Sequence, residues 1–213
     1  MPFEKSYKIQ TNHKNLFLRV SKGHFATSHS HINYYIDVTM QKSRLSEAKA
    51  VAHELVGYYK SSTVIDTILC LDGMQVVGTC LAEELTNAGF VSINAHQTIY
   101  VVTPEHTTGS QLIFRDNIAP MICGKNVLIL AASVTPGYTA NAAVDAIKYY
   151  GGQVAGISAI FATVNECSGY LVQSAFNPND LSDYASHPAH QCPQCAKGEK
   201  LDALVNSFGY SKL

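Results

Sequence analysis

The sequence of 213 residues contains no tryptophan, and only 15% of it is charged, against the roughly 25% usual for globular proteins. The formal charge is −1 and no basic run occurs. That removes the electrostatic footprint of a nucleic-acid binder and the basic amphipathic helix of a lipid-surface protein. No apolar run approaches the ~20 residues that cross a bilayer, and the opening MPFEKSYKIQTNHK has no signal-peptide-like apolar segment. A cytoplasmic protein, without membrane or nucleic-acid partners, is the expectation. Internal repeats and low-complexity tracts are also missing. What is plentiful is hydrophobicity, at 46%, with twelve Tyr and eight Phe. This implies an aromatic-rich interior or interface, and a weakly charged surface fits a homodimer that buries one face. The length suits one sizeable core, or one domain with a small appendage.

The most local deficit is in residues 125–152. No Lys, Arg, Asp or Glu lies between Lys125 and Asp145. Val127 to Ala131 read as a buried strand. A turn follows through Ser133-Val134-Thr135-Pro136-Gly137, then a helical pattern from about Thr139 to Tyr150, stopped by Gly151-Gly152. Thr and Gly between a strand and a helix suggest a phosphate seat, because helix-start N–H groups and the helix dipole both favour an anion. The plainer alternative is that Thr135 and Thr139 cap the helix with their hydroxyls.

Elsewhere the chain alternates. Residues 1–22 are a mixed lead-in, helix or strand. Residues 23–37 open on a turn and end in a strand over 34–38. Within them, His29 and His31 share a side if extended, as polar loop residues, cleft residues or a metal pair. Ser43 or Ser46 caps a helix reaching about Lys60, with Val51 and Leu55 on its apolar stripe. Strands are expected over 64–71, 90–94, 98–103, 127–131 and 154–161, with a helix from Met74 to Ala88 closed by Gly89. Strand and helix in alternation predict an α/β fold with a mostly parallel sheet, whose functional loops lie beyond the strands' carboxyl ends: Asp72-Gly73, 103–110, 131–138 and the segment after Phe161. After residue 165 the alternation fades, and residues 201–208 read as a weakly amphipathic short helix. The expected organisation is a main domain over 1–174 and a tail over 175–213.

The loop Ala131-Ala132-Ser133-Val134-Thr135-Pro136-Gly137-Tyr138-Thr139 resembles the phosphoribosyl pyrophosphate (PRPP) loop of type I phosphoribosyltransferases, which reads Asp-Asp, two apolar residues, then Thr-Thr-Gly-x-Thr. Phe25 and Ser28-His29-Ser30-His31-Ile32-Asn33-Tyr34-Tyr35-Ile36-Asp37 are similar to the opening of the orotate phosphoribosyltransferase branch. Cys192-Pro193-Gln194-Cys195-Ala196-Lys197-Gly198 is similar to a Cys-Pro-x-Cys-x-x-Gly ending in some members. The likeness spans roughly residues 16–200. It implies that fold, with an N-terminal hood segment, and 5-phosphoribosyl transfer between PRPP and a nucleobase with Mg2+. Thr135, Pro136, Gly137, Tyr138 and Thr139 would seat the 5′-phosphate, Asp72-Gly73 would stand at the diphosphate loop, and Tyr35 or Tyr138 would flank ribose or base. The sequence departs from the family where chemistry is concentrated. Ala131 and Ala132 replace the acidic pair, the stretch Val102 to Gly109 lacks the basic residues of the mobile loop, and Ala162 and Thr163 stand where an Asp-Arg pair recognises orotate. A methyl group cannot stabilise developing positive charge as a carboxylate does. Three readings stay open: an enzyme, a non-catalytic binder of a nucleotide or phosphorylated sugar, and a structural homodimer.

Six cysteines are present, of which Cys70 and Cys167 read as core thiols. Cys192 and Cys195 have the C-x2-C spacing of half a zinc site. His187 and His190 precede them and would complete a Cys2His2 set for Zn2+. A reversible disulfide and a turn with small buried thiols are the alternatives.

Overall fold

The computed structural model of the chain describes all residues except 1, 2, 4, 11–15, 88–91, 96, 109, 110 and 136. It divides into two compact units, Gln41–Asn177 and the pair of segments Met1–Met40 with Pro178–Leu213.

The larger unit is the α/β body. Its helices are α1 (Thr39–Ser43, entering it at residue 41), α2 (Leu45–Val56), α3 (Gln75–Asn87) and α4 (Tyr138–Tyr149). Its main strands are β4 (Thr67–Cys70), β5 (Tyr100–Val102), β8 (Asn126–Val134), β9 (Gln153–Ala162), β10 (Glu166–Cys167) and β11 (Tyr170–Phe176). They form one sheet in the order β10-β11-β9-β8-β4-β5, parallel except for the β10–β11 hairpin. A ribbon of β6 (Glu105–His106) and β7 (Leu112–Ile113) stands apart. The continuous apolar run of β8 is the signature of a strand covered on both faces. Val127, Ile129 and Ala131 pack with Ala140, Ala143, Val144 and Ile147 of α4. Elsewhere in the sheet, Gly156 has no Cβ because the Tyr59 ring would lie 3.1 Å from it, and the Tyr59 hydroxyl bonds Ser158 Oγ at 2.7 Å.

The smaller unit holds β1 (Ser6–Gln10), β2 (Phe17–Ala26), β3 (His31–Asp37), β12 (Ser186–His187), β13 (Ala203–Asn206) and β14 (Gly209–Lys212), with the short helix α5 (Pro193–Ala196). Its sheet order is β12-β3-β2-β13-β14, with β1 on β2. The tail is therefore no simple appendage to 1–174, since its strands share a sheet with the N-terminal segment. The expected helix over 201–208 is instead the β13–β14 hairpin. Its burial alternates strictly along Ala203–Asn206, and Asn206 Oδ1 closes the turn by accepting from the Phe208 and Gly209 N–H groups.

Two further expectations are corrected. Strand–helix alternation does end near 165, but the sheet does not, because β11 extends it beside β9, joined to β10 by a turn with positive φ at Ser168 and Gly169. Of the expected strand 90–94, residues 90 and 91 lie outside the described ones, and Ser92–Asn94 form a turn. There the Asn94 side chain accepts from Ile65 N–H and donates to Thr63 O. Gly89 is also outside the described residues. At the start of α2 the N-cap is Arg44, not Ser43 or Ser46.

Candidate functional site

Strand β8 delivers the loop 133–139 to the carboxyl edge of the larger sheet, and α4 leaves from it. Gly137 is the N-cap of α4 and lies in the left-handed region, φ +107°. A Cβ there would sit 3.2 Å from Cys167 Sγ, so glycine is required on two counts. No side chain among the described residues caps the helix, and the capping role considered for Thr135 and Thr139 is not taken. Thr135 is half-buried, Thr139 exposed, and Tyr138 61% exposed at the first helical position; Pro136 lies outside the described residues. The β10–β11 turn braces the first turn of α4, since Cys167 Sγ–H and Ser168 Oγ–H both donate to Asn141 Oδ1, at 2.9 and 2.6 Å.

The Asp72-Gly73 turn follows β4 at the same edge. Asp72 holds a left-handed backbone, φ 53°, uncommon outside glycine but tolerated by Asp. Its Oδ2 accepts from the Ala132 N–H at 3.4 Å, so one carboxylate stands beside the place of the missing acidic pair, while Ala131 and Ala132 are buried. Lys42 Nζ donates to the Asp72 carbonyl at 2.8 Å. Lys42 was not found by sequence reasoning. It lies 30 residues upstream, with no motif to mark it. Thr163 N–H bonds back to Val134 O, closing β9 against β8.

The stretch 103–110 is not bare of cations in space. Arg115 makes a two-pronged pair with Glu105, Nε and Nη2 at 2.7 and 2.6 Å from the carboxylate oxygens. The arginine's hydrogen bonds hold the Glu105 carboxyl below its ordinary range and raise the guanidinium. The pair ties the ribbon shut on itself.

No family model matches the chain, and no curated protein matches it in sequence. Solved structures do. The orotate phosphoribosyltransferase of Mycobacterium tuberculosis H37Rv, in complex with Fe(III) dicitrate, superposes with a TM-score of 0.54 at 17% identity, over 77% of this chain and 92% of that one. The fold is that of the type I phosphoribosyltransferases. Leishmania donovani UMP synthase gives 0.53 at 17% identity, over 76% of this chain and 34% of that one. The adenine phosphoribosyltransferase of the same organism gives 0.50 at 15% identity, over 71% and 73%. In this phosphoribosyltransferase fold, loop 133–139 and the Asp72-Gly73 turn occupy the sheet edge at which the resemblance expects the ligand. Tyr35, expected to flank ribose or base, lies buried instead. It is 4% exposed in the small unit's core, edge-on to Phe3 and Tyr210 and tilted against Phe25, and burial raises its hydroxyl pKa.

A second constellation lies in the smaller unit. His24 on β2, His31 on β3, Cys192 before α5 and Cys195 within it bring four ligand atoms within 4.8 Å of one another. Cys192 and Cys195 thus meet His24 and His31, not His187 and His190. His187 sits in β12 with its backbone paired opposite His31, and His190 lies in a single helical turn. His29, weighed with His31 as a pair, is in the turn between the strands. A register shift between Lys22 and Phe25 breaks the alternation of β2 and leaves consecutive His24 and Phe25 both buried; bulges commonly re-aim side chains in this way. The tail then fixes His24. Asp202 Oδ2 accepts its N–H at 2.7 Å, its carbonyl accepts from Asp202 N–H at 2.7 Å, and its Nδ1 lies 3.1 Å from Glu199 O. Burial, then the neighbouring His24, lowers the His31 imidazole pKa. A cleft of about 590 Å3 in this unit is lined by His24 and by Lys5, Lys22, Lys200 and Lys212, among others. No described helix is long and apolar enough to cross a membrane.

Proposed function

We propose that this chain is a phosphoribosyltransferase-like protein that binds a 5-phosphoribosyl compound at loop 133–139. The observation that carries this is the start of α4. A buried strand ends at Val134, and a 12-residue helix begins at the left-handed Gly137 with no side chain capping it among the described residues. Its first-turn N–H groups and dipole are then directed at an anion, with the Thr135 and Thr139 hydroxyls beside them. The 5′-phosphate sits on this seat. The ribose extends toward Asp72, and Lys42 supplies positive charge at the turn where a diphosphate would lie. The reaction class is transfer of the 5-phosphoribosyl group between its diphosphate and a nucleobase. Magnesium would accompany the diphosphate and neutralise its charge. Asp72 is the carboxylate this edge offers such an ion.

One observation favours a second reading, binding without transfer. Buried Ala131 and Ala132 supply no carboxylate for the ribose hydroxyls or for developing positive charge, and Glu105 with Arg115 forms a closed ribbon in place of a basic loop. Neither Ala162 nor Thr163 offers a charge for orotate's carboxylate, which weighs against orotate as the base. Calorimetry with PRPP and with a nucleoside 5′-monophosphate, each with and without Mg2+, tests both readings. Magnesium-dependent PRPP binding supports the transferase. Magnesium-independent monophosphate binding alone supports the binder. No binding of either removes the proposal.

A further inference from the structure

We propose that His24, His31, Cys192 and Cys195 form a structural zinc site that fastens the two chain segments of the smaller unit to each other. The residue types make a complete Cys2His2 set, and nothing in the arrangement leaves a ligand position for substrate. The spacing also fits. Zinc held tetrahedrally, about 2.3 Å from sulfur and about 2.0–2.1 Å from nitrogen, sets its ligand atoms about 3.3–3.8 Å apart. Here His24 Nε2 lies 3.2 Å from His31 Nδ1, and 3.4 and 3.7 Å from the Sγ atoms of Cys192 and Cys195. Cys195 Sγ lies 3.2 Å from His31 Nδ1.

The groups around the cluster point the same way. With Nδ1–H donating to the Glu199 carbonyl, the His24 tautomer leaves its lone pair on Nε2, the atom aimed at the other three ligands. His24 is 2% exposed and Cys192 4%. Two thiolates, formed by releasing their two protons on binding, neutralise a divalent ion, so the buried site carries no net charge.

Architecture gives a reason for a staple. The smaller unit gathers roughly 75 residues from both ends of the chain, near the size below which domains commonly rely on a metal or disulfide. Its buried hydrophobic cluster is Phe25, Ile32, Tyr35, Ala203 and Val205. The tail's β13 meets β2 through two register pairs, Ala203 with Phe25 and Leu204 with Ala26. The metal would tie the β2–β3 hairpin to the α5 knuckle, beside the hydrogen bonds that already join Gly23 and His24 to Gln194, Glu199 and Asp202.

The test uses the full chain, made without a His tag under reducing conditions. Native mass spectrometry and elemental analysis should find one zinc per chain. Replacement by Co2+ should give the thiolate-to-metal charge-transfer band and intense visible bands of a tetrahedral sulfur-containing site. Cys195→Ser and His31→Asn, at the less buried ligands, should each weaken Co2+ binding at least tenfold, while the double variant His187→Ala with His190→Ala should bind like the parent. Retained Co2+ affinity in the first two variants overturns the proposal, as does metal lost only in the double variant. A chain that binds neither ion, or that carries a Cys192–Cys195 disulfide when freshly purified, also overturns it.

Discussion

Loop 133–139 and the His24–His31–Cys192–Cys195 cluster are built in opposite ways. The loop is one contiguous stretch whose position the strand and helix around it dictate, yet Ala131 and Ala132, just before it, carry methyl groups where the resemblance expects an acidic pair. The cluster is gathered from parts of the chain as much as 171 residues apart, yet its ligand set is complete. A fold can therefore keep the place of a site while losing its charges, and can assemble a full donor set where a linear motif shows only half of it. The two proposals give the regions different work: ligand binding at the first, and holding the fold together at the second.

The largest effect should come from the cluster. Cys192→Ser, or removal of the metal by chelation, should destabilise the smaller unit on the order of 4 kcal/mol, the range reached when a structural metal is lost. Hydrogen exchange would show amides of β2, β3 and β13 losing protection together while β8 and β9 keep theirs. Equal loss in β8 would break the division of labour.

Next is Gly137→Ala. The left-handed φ and the 3.2 Å approach to Cys167 Sγ should cost about 1–3 kcal/mol, read by denaturant unfolding, with a matching loss of ribose 5-phosphate binding. Lys42→Ala sharpens the ligand side. Loss of a charge-assisted contact should weaken PRPP binding by about 1.5–3 kcal/mol and leave a 5′-monophosphate nearly unchanged; equal losses would place Lys42 outside the diphosphate position. Thr135→Val should remove one hydroxyl contact, about 1 kcal/mol or roughly fivefold in Kd by calorimetry.

The smallest effect belongs to the exposed Glu105–Arg115 pair. Arg115→Ala should lower Tm slightly, and less in high salt. The folded Glu105 pKa is depressed, so its contribution is present above the ordinary carboxylate value and fades as pH falls through the lowered one. The difference in Tm between parent and variant should narrow in acid.

Much of the larger unit was legible because β8 is a continuous apolar run and α4 carries a clear helical period. Both were placed within a few residues. The tail was misread where period 2 and period 3.6 compete over a short apolar stretch, and Asn206 closing a turn decided for strands. β11 was missed because its burial does not alternate cleanly along Tyr170–Phe176. Half of the proposed metal site was readable, from the C-x2-C spacing. The nearer histidines at 187 and 190 were the natural partners in sequence. Proximity of His24 and His31 depends on hairpin register, a bulge at 22–25 and a parallel pairing with β13, none of which a linear pattern encodes. Lys42 escaped notice for the same reason.

The central claim is that a 5′-phosphate rests on the start of α4. Amide chemical-shift mapping of the full chain with ribose 5-phosphate tests it most directly. Shifts concentrated at Gly137, Tyr138, Thr139 and Ala140, and absent in Gly137→Ala, are the predicted result. Shifts confined to the cleft lined by Lys5, Lys22, Lys200 and Lys212, with the first turn of α4 silent, would contradict it.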